Sequence, residues 1–320
     1  MEMGLVNLVL DTQFGMKTNK MVVSVWMVTY NHEDSIAQAV ESVMMQETDF
    51  NYKLFIGEDC SKDNTREICI NLQEKYPDKI ELILQKNNIG PSKNAQQVYK
   101  ACFESGAEYI AMLEGDDYWT DPHKLQKQVD FLRNNKECIF SFHKSFRVFG
   151  TNGTDDKNIY PKGIKQKILD EKEFFKIPTI PTASVLFSNQ IKFPEIYHIH
   201  GDFLLYCTLL SSGKAGFIDE TMSVYKLHEA GVSSTYDSNS YMERRIKELK
   251  IEGQYYGFSR NVRKQINKIL TEHIEYYLNK NRGHLSLTDK ISYIKILLSQ
   301  KAFYSLSPKK YMTLAKTMFK

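Results

Sequence analysis

The sequence predicts an α/β protein: a mostly parallel sheet with helices on both faces, continued by a C-terminal helical extension. Three observations carry that expectation. Apolar runs rich in β-branched residues alternate with segments of helical spacing between Met21 and Asn134. The loops joining them are short and polar, as right-handed βαβ crossovers require. From Tyr241 onward helical spacing takes over, with a break near Gly257.

The elements follow in order. MVVSVWMVTYN (Met21 to Asn31) is an apolar first strand. DSIAQAVESVMMQ has Ile36, Val40 and Val43 on one helical face, with Asp34 as the expected cap. YKLFIGED is the second strand, and the turn CSKDN leads into the helix TREICINLQEKY. KIELILQ is the third strand, and NNIGPS precedes a helix from Lys93 to Ser105. YIAMLE is the fourth strand, followed by a helix from Pro122 to Asn134. Past this point the pattern loosens. Strands over Glu137 to Phe149 and Thr182 to Ser188 suit a mixed or antiparallel edge, Asp202 to Leu210 is helical, and GKAGFID and MSVYKL are short strands. The expected division is an N-terminal extension over 1–20, a sheet domain over 21–235 and a helical region over 236–320.

The composition is that of an ordered globular chain of 320 residues, with 42% hydrophobic and 25% charged residues. Five widely spaced cysteines form no CxxC pair, which argues against structural zinc and for reduced thiols in a cytoplasm-like compartment. No apolar run approaches the roughly 20 residues that span a bilayer. The net charge of +3 is unevenly spread. Residues 286–320 carry +6 and leave −3 on the rest, so the body lacks the basic surface that nucleic-acid binding requires.

Ligands of parallel sheets bind at the carboxyl ends of the strands, where TYN, GEDCS, NNIG and EGDD all fall. Glu114, Asp116 and Asp117 are three carboxylates within four positions, and they repel one another unless a cation neutralises them. Such a cluster has two readings, a solvated turn or a site for Mg or Mn completed by waters and phosphates. A second acidic pair, Glu58-Asp59, at another strand end favours the site.

These motifs, taken in order, resemble a family-2 glycosyltransferase with the Rossmann-like GT-A fold. VSVWMVTYNHEDSIAQAVESVMMQ is similar to the family's opening strand and helix, and FIGEDCSKDNT to its VDDGSxDxT loop. NNIGPSKNAQQ resembles the NxGxxxARNxG segment, MLEGDDYWTDPHKL the DxD loop, HGDFLLYCTLL the segment of the catalytic base, and KLHEAGVSS the closing YRxHxGG stretch. Together they run from Val22 to Val232, about two-thirds of the chain.

The resemblance implies an inverting, metal-dependent transfer from a nucleotide diphosphate sugar, with a lean toward UDP. It implies that Asp59, beside Glu58, meets the nucleotide base near Thr29, Tyr30 and Asn31. Asp116 and Asp117, beside Glu114, would serve the ribose and a Mn or Mg ion, with His228 a further ligand or a structural histidine. Asp202 is implied as the base that takes the acceptor's proton, and its place at a helix start also suits an N-cap. The sequence departs from the family in Glu58 and Glu114, where the family has Asp, and in the missing Arg of ARN, whose charge Lys93 is expected to supply.

Three features have open readings. Trp119 either stacks on a sugar or plugs the sheet end. Thr182 and Ser184 sit in IPTIPTASVLF, which resembles the segment bordering the acceptor, and line a cleft or face water. The basic amphipathic tail SPKKYMTLAKTMFK either lies on an anionic membrane, which would give residues 286–320 a peripheral membrane contact and suit a lipid-linked saccharide acceptor, or docks on the core. A nucleotidyltransferase is the rival enzyme class, but TYNHEDS is neither Gly-rich nor basic. A catalytically inactive carbohydrate-binding protein of the same fold is the rival outside enzymology.

Overall fold

A computed structural model of the chain describes residues 21–149, 158–191, 201–227, 238–255, 257–281 and 284–299. Four strands, β1 (Met21–Thr29), β2 (Asn51–Glu58), β3 (Ile80–Leu84) and β4 (Tyr109–Met112), lie parallel in the order β3-β2-β1-β4. Helices α1 (Ile36–Met44), α2 (Thr65–Lys75) and α3 (Pro91–Glu104) form the crossovers. The parallel register brings Thr29 level with Glu58, and Glu58 level with Leu84. The loops that follow are therefore clustered at one rim.

After β4 the chain makes the two-residue strand β5 (Tyr118–Trp119), helix α4 (Lys124–Asn134) and the long strand β6 (Cys138–Phe149). Short strands β7 (Asn158–Tyr160) and β8 (Ile168–Leu169), helix α5 (Glu171–Phe174) and a 3-10 turn at Thr182–Ser184 precede β9 (Leu186–Ser188). Helix α6 (Gly201–Leu210), strand β10 (Lys214–Leu227) and helices α7 (Ser238–Gln254), α8 (Arg260–Lys280) and α9 (Leu287–Ser299) complete the described elements. The sheet continues β4-β9-β6-β10-β5. Strand β9 runs antiparallel to both β4 and β6, β10 is parallel to β6, and β5 is antiparallel to β10. The expected parallel sheet with a mixed edge is what forms.

Four local expectations are corrected. Ser35, not Asp34, is the N-cap of α1; its side chain makes no capping bond and instead donates its hydroxyl to the carbonyl of Gly115 at 3.0 Å. Thr182 to Ser184 is a 3-10 turn, so the strand expected over Thr182 to Ser188 is confined to Leu186–Ser188. GKAGFID and MSVYKL are one strand, because the register jumps from Ile218 to Thr221 as a bulge that carries Asp219 and Glu220 outward. Helix α3 starts at Pro91, two residues before Lys93, where proline's fixed φ suits a first helical position.

Two apolar clusters hold the layers together. One face of the sheet packs Val23, Val25, Met27, Leu54 and Ile56 against α1, α2 and α4. The other face, with Phe140, Phe142, Phe187 and Phe217, packs against α6 and also against Ile246, Leu249, Val262, Ile266 and Leu270 of α7 and α8. The C-terminal helices therefore share one core with the sheet. Among the described residues no helix is long and apolar enough to cross a membrane.

Candidate active site

The rim formed by the ends of β1, β2 and β4 gathers most of the residues singled out by sequence. Its backbone is shaped for close approach. Asn31 and Cys60 adopt left-handed φ values of 55° and 58°, so each strand turns sharply as it leaves the sheet. Asn31 and Ser61 tie the two turns together, through Asn31 N–H to Ser61 Oγ at 3.0 Å and Lys62 N–H to Asn31 Oδ1 at 2.9 Å. Gly115 lies against the end of β1. A Cβ there would stand 2.8 Å from Thr29 Oγ1 and 3.1 Å from His32 Nδ1.

The two acidic residues of GEDCS perform different tasks. Glu58 is fully buried, accepts the Ser61 N–H at 2.6 Å on one oxygen and pairs with Arg66 Nε on the other. Arg66 also donates to the Gln85 carbonyl at 2.6 Å, and Gln85 reaches Asn94 and Gln97 on α3. Both Glu58 oxygens are thus engaged within the protein, and the longer side chain reaches away from the rim into this strut. Asp59, 2% exposed, accepts the backbone N–H groups of Ile89 and Gly90 at 2.8 and 2.9 Å, one on each oxygen. It fixes the NNIG loop at the start of α3.

The third loop holds the acidic trio. Glu114, Asp116 and Asp117 bring carboxylate oxygens within 4.8 Å of one another. Burial and the charges of Asp116 and Asp202 push the Glu114 carboxyl up to about 8, and burial with its two acidic neighbours holds Asp117 well above the usual carboxylate range. Asp117 Oδ1 accepts the Lys226 N–H at 2.8 Å, which links the loop to β10, while the buried Oδ2 has no hydrogen-bond partner. An oxygen-only set of three crowded carboxylates with an orphaned buried oxygen fits a divalent cation of the Mg or Mn type. His32 Nε2 stands 3.9 Å from Asp116 Oδ2 and its Nδ1 lies 3.2 Å from Thr29 Oγ1.

Asp202 occupies the first turn of α6, exposed, with Oδ1 accepting the Phe203 N–H at 2.8 Å. Its charge acts on Glu114 and on the buried Tyr206 phenol, so Asp202 lies within electrostatic reach of the acidic loop. Tyr30 is half-buried beside Thr29, and Lys93 is exposed on the first turn of α3. His228 lies outside the described residues, as does the tail beyond Ser299.

At Trp119 one of the two open readings holds, and at Ser184 neither does. Trp119 is 1% exposed, donates Nε1–H to the Ala183 carbonyl at 2.9 Å and carries Lys124 Nζ 3.9 Å over its ring. It plugs the sheet end and has no open face for a sugar. Ser184 is fully buried, with its hydroxyl on the Pro181 carbonyl at 2.7 Å, which leaves Thr182 as the half-buried residue of that turn. Sequence reasoning also missed Arg66, His32 and Lys226. Arg66 stands eight positions from Glu58, at the start of α2, and its reach back to the strand end has no sequence signal; Lys226 is 109 positions from Asp117 and meets it through the antiparallel pairing of β10 with β5.

The family model described as glycosyl transferase family 2 matches residues 24–190, just over half of the chain. The chain belongs to glycosyl transferase family 2. An uncharacterized protein of Mycobacterium tuberculosis, Rv1520, is 32% identical over 69% of this chain, which spans 64% of that relative's length. A protein of Escherichia coli named UDP-Glc:alpha-D-GlcNAc-diphosphoundecaprenol beta-1,3-glucosyltransferase WfgD is 27% identical over 72% of this chain and 83% of its own. The solved structure of Staphylococcus aureus TarS with UDP-GlcNAc superposes with a TM-score of 0.61 at 18% identity, covering 88% of this chain and 80% of that one. The family-2 chain thus has the GT-A fold, a mixed sheet with its mostly parallel part flanked by helices.

Proposed function

We propose that this family-2 chain is an inverting glycosyltransferase that moves a sugar from a UDP-sugar to a hydroxyl of a saccharide or lipid-linked saccharide. The observation that supports the reading is the clustering of the Glu114, Asp116 and Asp117 carboxylates, with oxygens within 4.8 Å of one another, within reach of the Asp202 charge. A carboxylate that can take a proton and a nearby acidic cation site are the two groups a direct displacement needs. The acceptor oxygen attacks the anomeric carbon, its proton passes to Asp202, and the bond from that carbon to the diphosphate oxygen breaks, with inversion. Asp116 and Asp117 would hold a Mn or Mg ion, which when bound would supply the positive charge that steadies the leaving diphosphate.

The donor side is supported by the sharp turns at Asn31 and Cys60 and by Asp59, which sits among backbone N–H groups where a nucleotide base would lie, near Thr29 and Tyr30. The names of the relatives favour UDP: WfgD is named for UDP-glucose and a diphosphoundecaprenol-linked acceptor, and TarS was solved with UDP-GlcNAc. A lipid-linked acceptor gives the basic 286–320 segment a role as a peripheral membrane contact.

Replacing Asp202 by Asn tests the assignment. Calorimetry with UDP-glucose and UDP-N-acetylglucosamine in the presence of Mn is expected to give unchanged affinity while transfer is lost. Transfer at the parent rate would show that another group takes the proton.

A further inference from the structure

We infer that Arg245, on a helix outside the family-matched segment, is a positioning residue for Asp202, acting through the face of Phe203. This rests on the reading of Asp202 as the base. Phe203 is the residue whose backbone N–H holds Asp202 Oδ1, at 2.8 Å. Its ring therefore sits one bond system away from the group that sets the carboxylate's direction. The Arg245 guanidinium stacks over that ring with Cζ 4.1 Å from the centroid, and Phe175 packs on it with centroids 5.4 Å apart.

Arg245 is itself held firmly. It is 5% exposed, and Nη1 lies 3.5 Å from Glu248 Oε2 and 3.4 Å from Glu252 Oε2, both of them buried. One guanidinium thus answers two buried carboxylates on its own helix and presents its flat face outward to α6. A buried cation flanked by two carboxylates is a costly way to gain stability alone, since apolar residues of similar volume commonly serve as well. What the arrangement does supply is a rigid planar surface, because arginine, unlike lysine, stacks on an aromatic ring while its edge remains hydrogen-bonded. Tyr241, one helical turn earlier on α7, also lies within the reach of Asp202's charge. Helix α7 thus meets α6 at the first turn, where Asp202 stands.

Misplacement of a catalytic group by about 1 Å costs about 100-fold in rate. Arg245→Lys keeps the charge that Glu248 and Glu252 require but loses the planar stack. Phe203→Leu keeps apolar volume but loses the ring. The assay is UDP release from UDP-glucose and UDP-N-acetylglucosamine with Mn, water serving as acceptor, alongside UDP affinity by calorimetry and the melting temperature. We expect each variant to lower kcat about tenfold or more, with UDP affinity unchanged, and the double variant to be no slower than the slower single one. A parent-like kcat in Arg245→Lys, or losses that multiply in the double variant, overturns the positioning role. Asp202→Asn, measured beside them, keeps the two readings apart. If it loses turnover while Arg245→Lys retains it, only the positioning role fails; if it retains turnover, the base assignment itself fails.

Discussion

Asp59 grips the loop that ends in Gly90: its two carboxylate oxygens take the backbone N–H groups of Ile89 and Gly90, at 2.8 and 2.9 Å. A carboxylate suits this role because it has acceptors at both ends. Asp59→Asn places an NH₂ against one of those N–H groups. Leaving one buried donor unmet costs about 1–3 kcal/mol. Urea unfolding is expected to report that loss, and calorimetry a weaker affinity for UDP.

Arg66 is the counter-ion of a fully buried carboxylate. Arg66→Met leaves Glu58 charged and buried, with one oxygen unanswered. Because Arg66 is 33% exposed, the cost falls toward the lower end of the about 3–5 kcal/mol typical of a broken buried pair. Glu58→Gln is expected to be milder, since its amide oxygen still accepts from Ser61. Thermal melts of the two variants check the order.

In the acidic loop, Asp117→Asn removes the most constrained member of the trio. The metal-free protein is expected to melt no lower than the parent, because burial and two like charges oppose ionisation of Asp117. The gain in UDP affinity on adding Mn is expected to shrink about tenfold or more, the scale on which loss of metal-site support acts. Titrations with and without Mn measure it.

Gly115→Ala places a methyl 2.8 Å from Thr29 Oγ1 and 2.9 Å from Thr29 Cβ. Overpacking of this kind costs about 1–3 kcal/mol. Here the displaced atoms belong to the strand end that carries Thr29 and Tyr30, so UDP affinity should fall along with the melting temperature.

A pH dependence originates far from the rim. His143 is fully buried, with Nδ1–H on the Lys144 carbonyl at 2.8 Å, and burial together with the Lys124 charge pushes its imidazole well below the usual range. The unfolded chain takes up a proton at His143 near pH 6.5 and the folded chain does not, so stability present above that pH is lost as pH falls through it. The slope reaches about 1.4 kcal/mol per pH unit for one group. Glu114 and Asp117, raised at the rim, act with the opposite sign over the same range, so the His143 share is read by difference: the unfolding free energy of the parent minus that of His143→Gln is expected to fall between pH 7.5 and 5.5.

The sheet was legible because buried parallel strands leave long apolar runs, and MVVSVWMVT and YKLFIGE are both such runs. The rim was legible because it lies where those runs end. The limits came from interactions with no sequence period. Ser35 spends its hydroxyl on a carbonyl 80 positions away, and Trp119 closed the sheet end because Ala183 and Lys124 surround it. Glu58 reads like its neighbour Asp59 in sequence, yet one methylene more takes it to Arg66 instead of the NNIG loop.

The core shared by the sheet with α7 and α8 also decides where this chain can be recombined with its relatives. Phe140, Phe142 and Phe217 are covered partly by residues 246–278, so a chimera cut near residue 236 would join two half-cores that had never been fitted to each other. Helices α1 and α2 pack on the opposite face, while strands β1, β2 and β4 meet the shared core through Trp26, Phe55 and Ile110. An exchange of donor specificity is best made by moving β1 to β4 with α1 and α2, those three residues kept, and leaving everything from β6 to α8 from one parent.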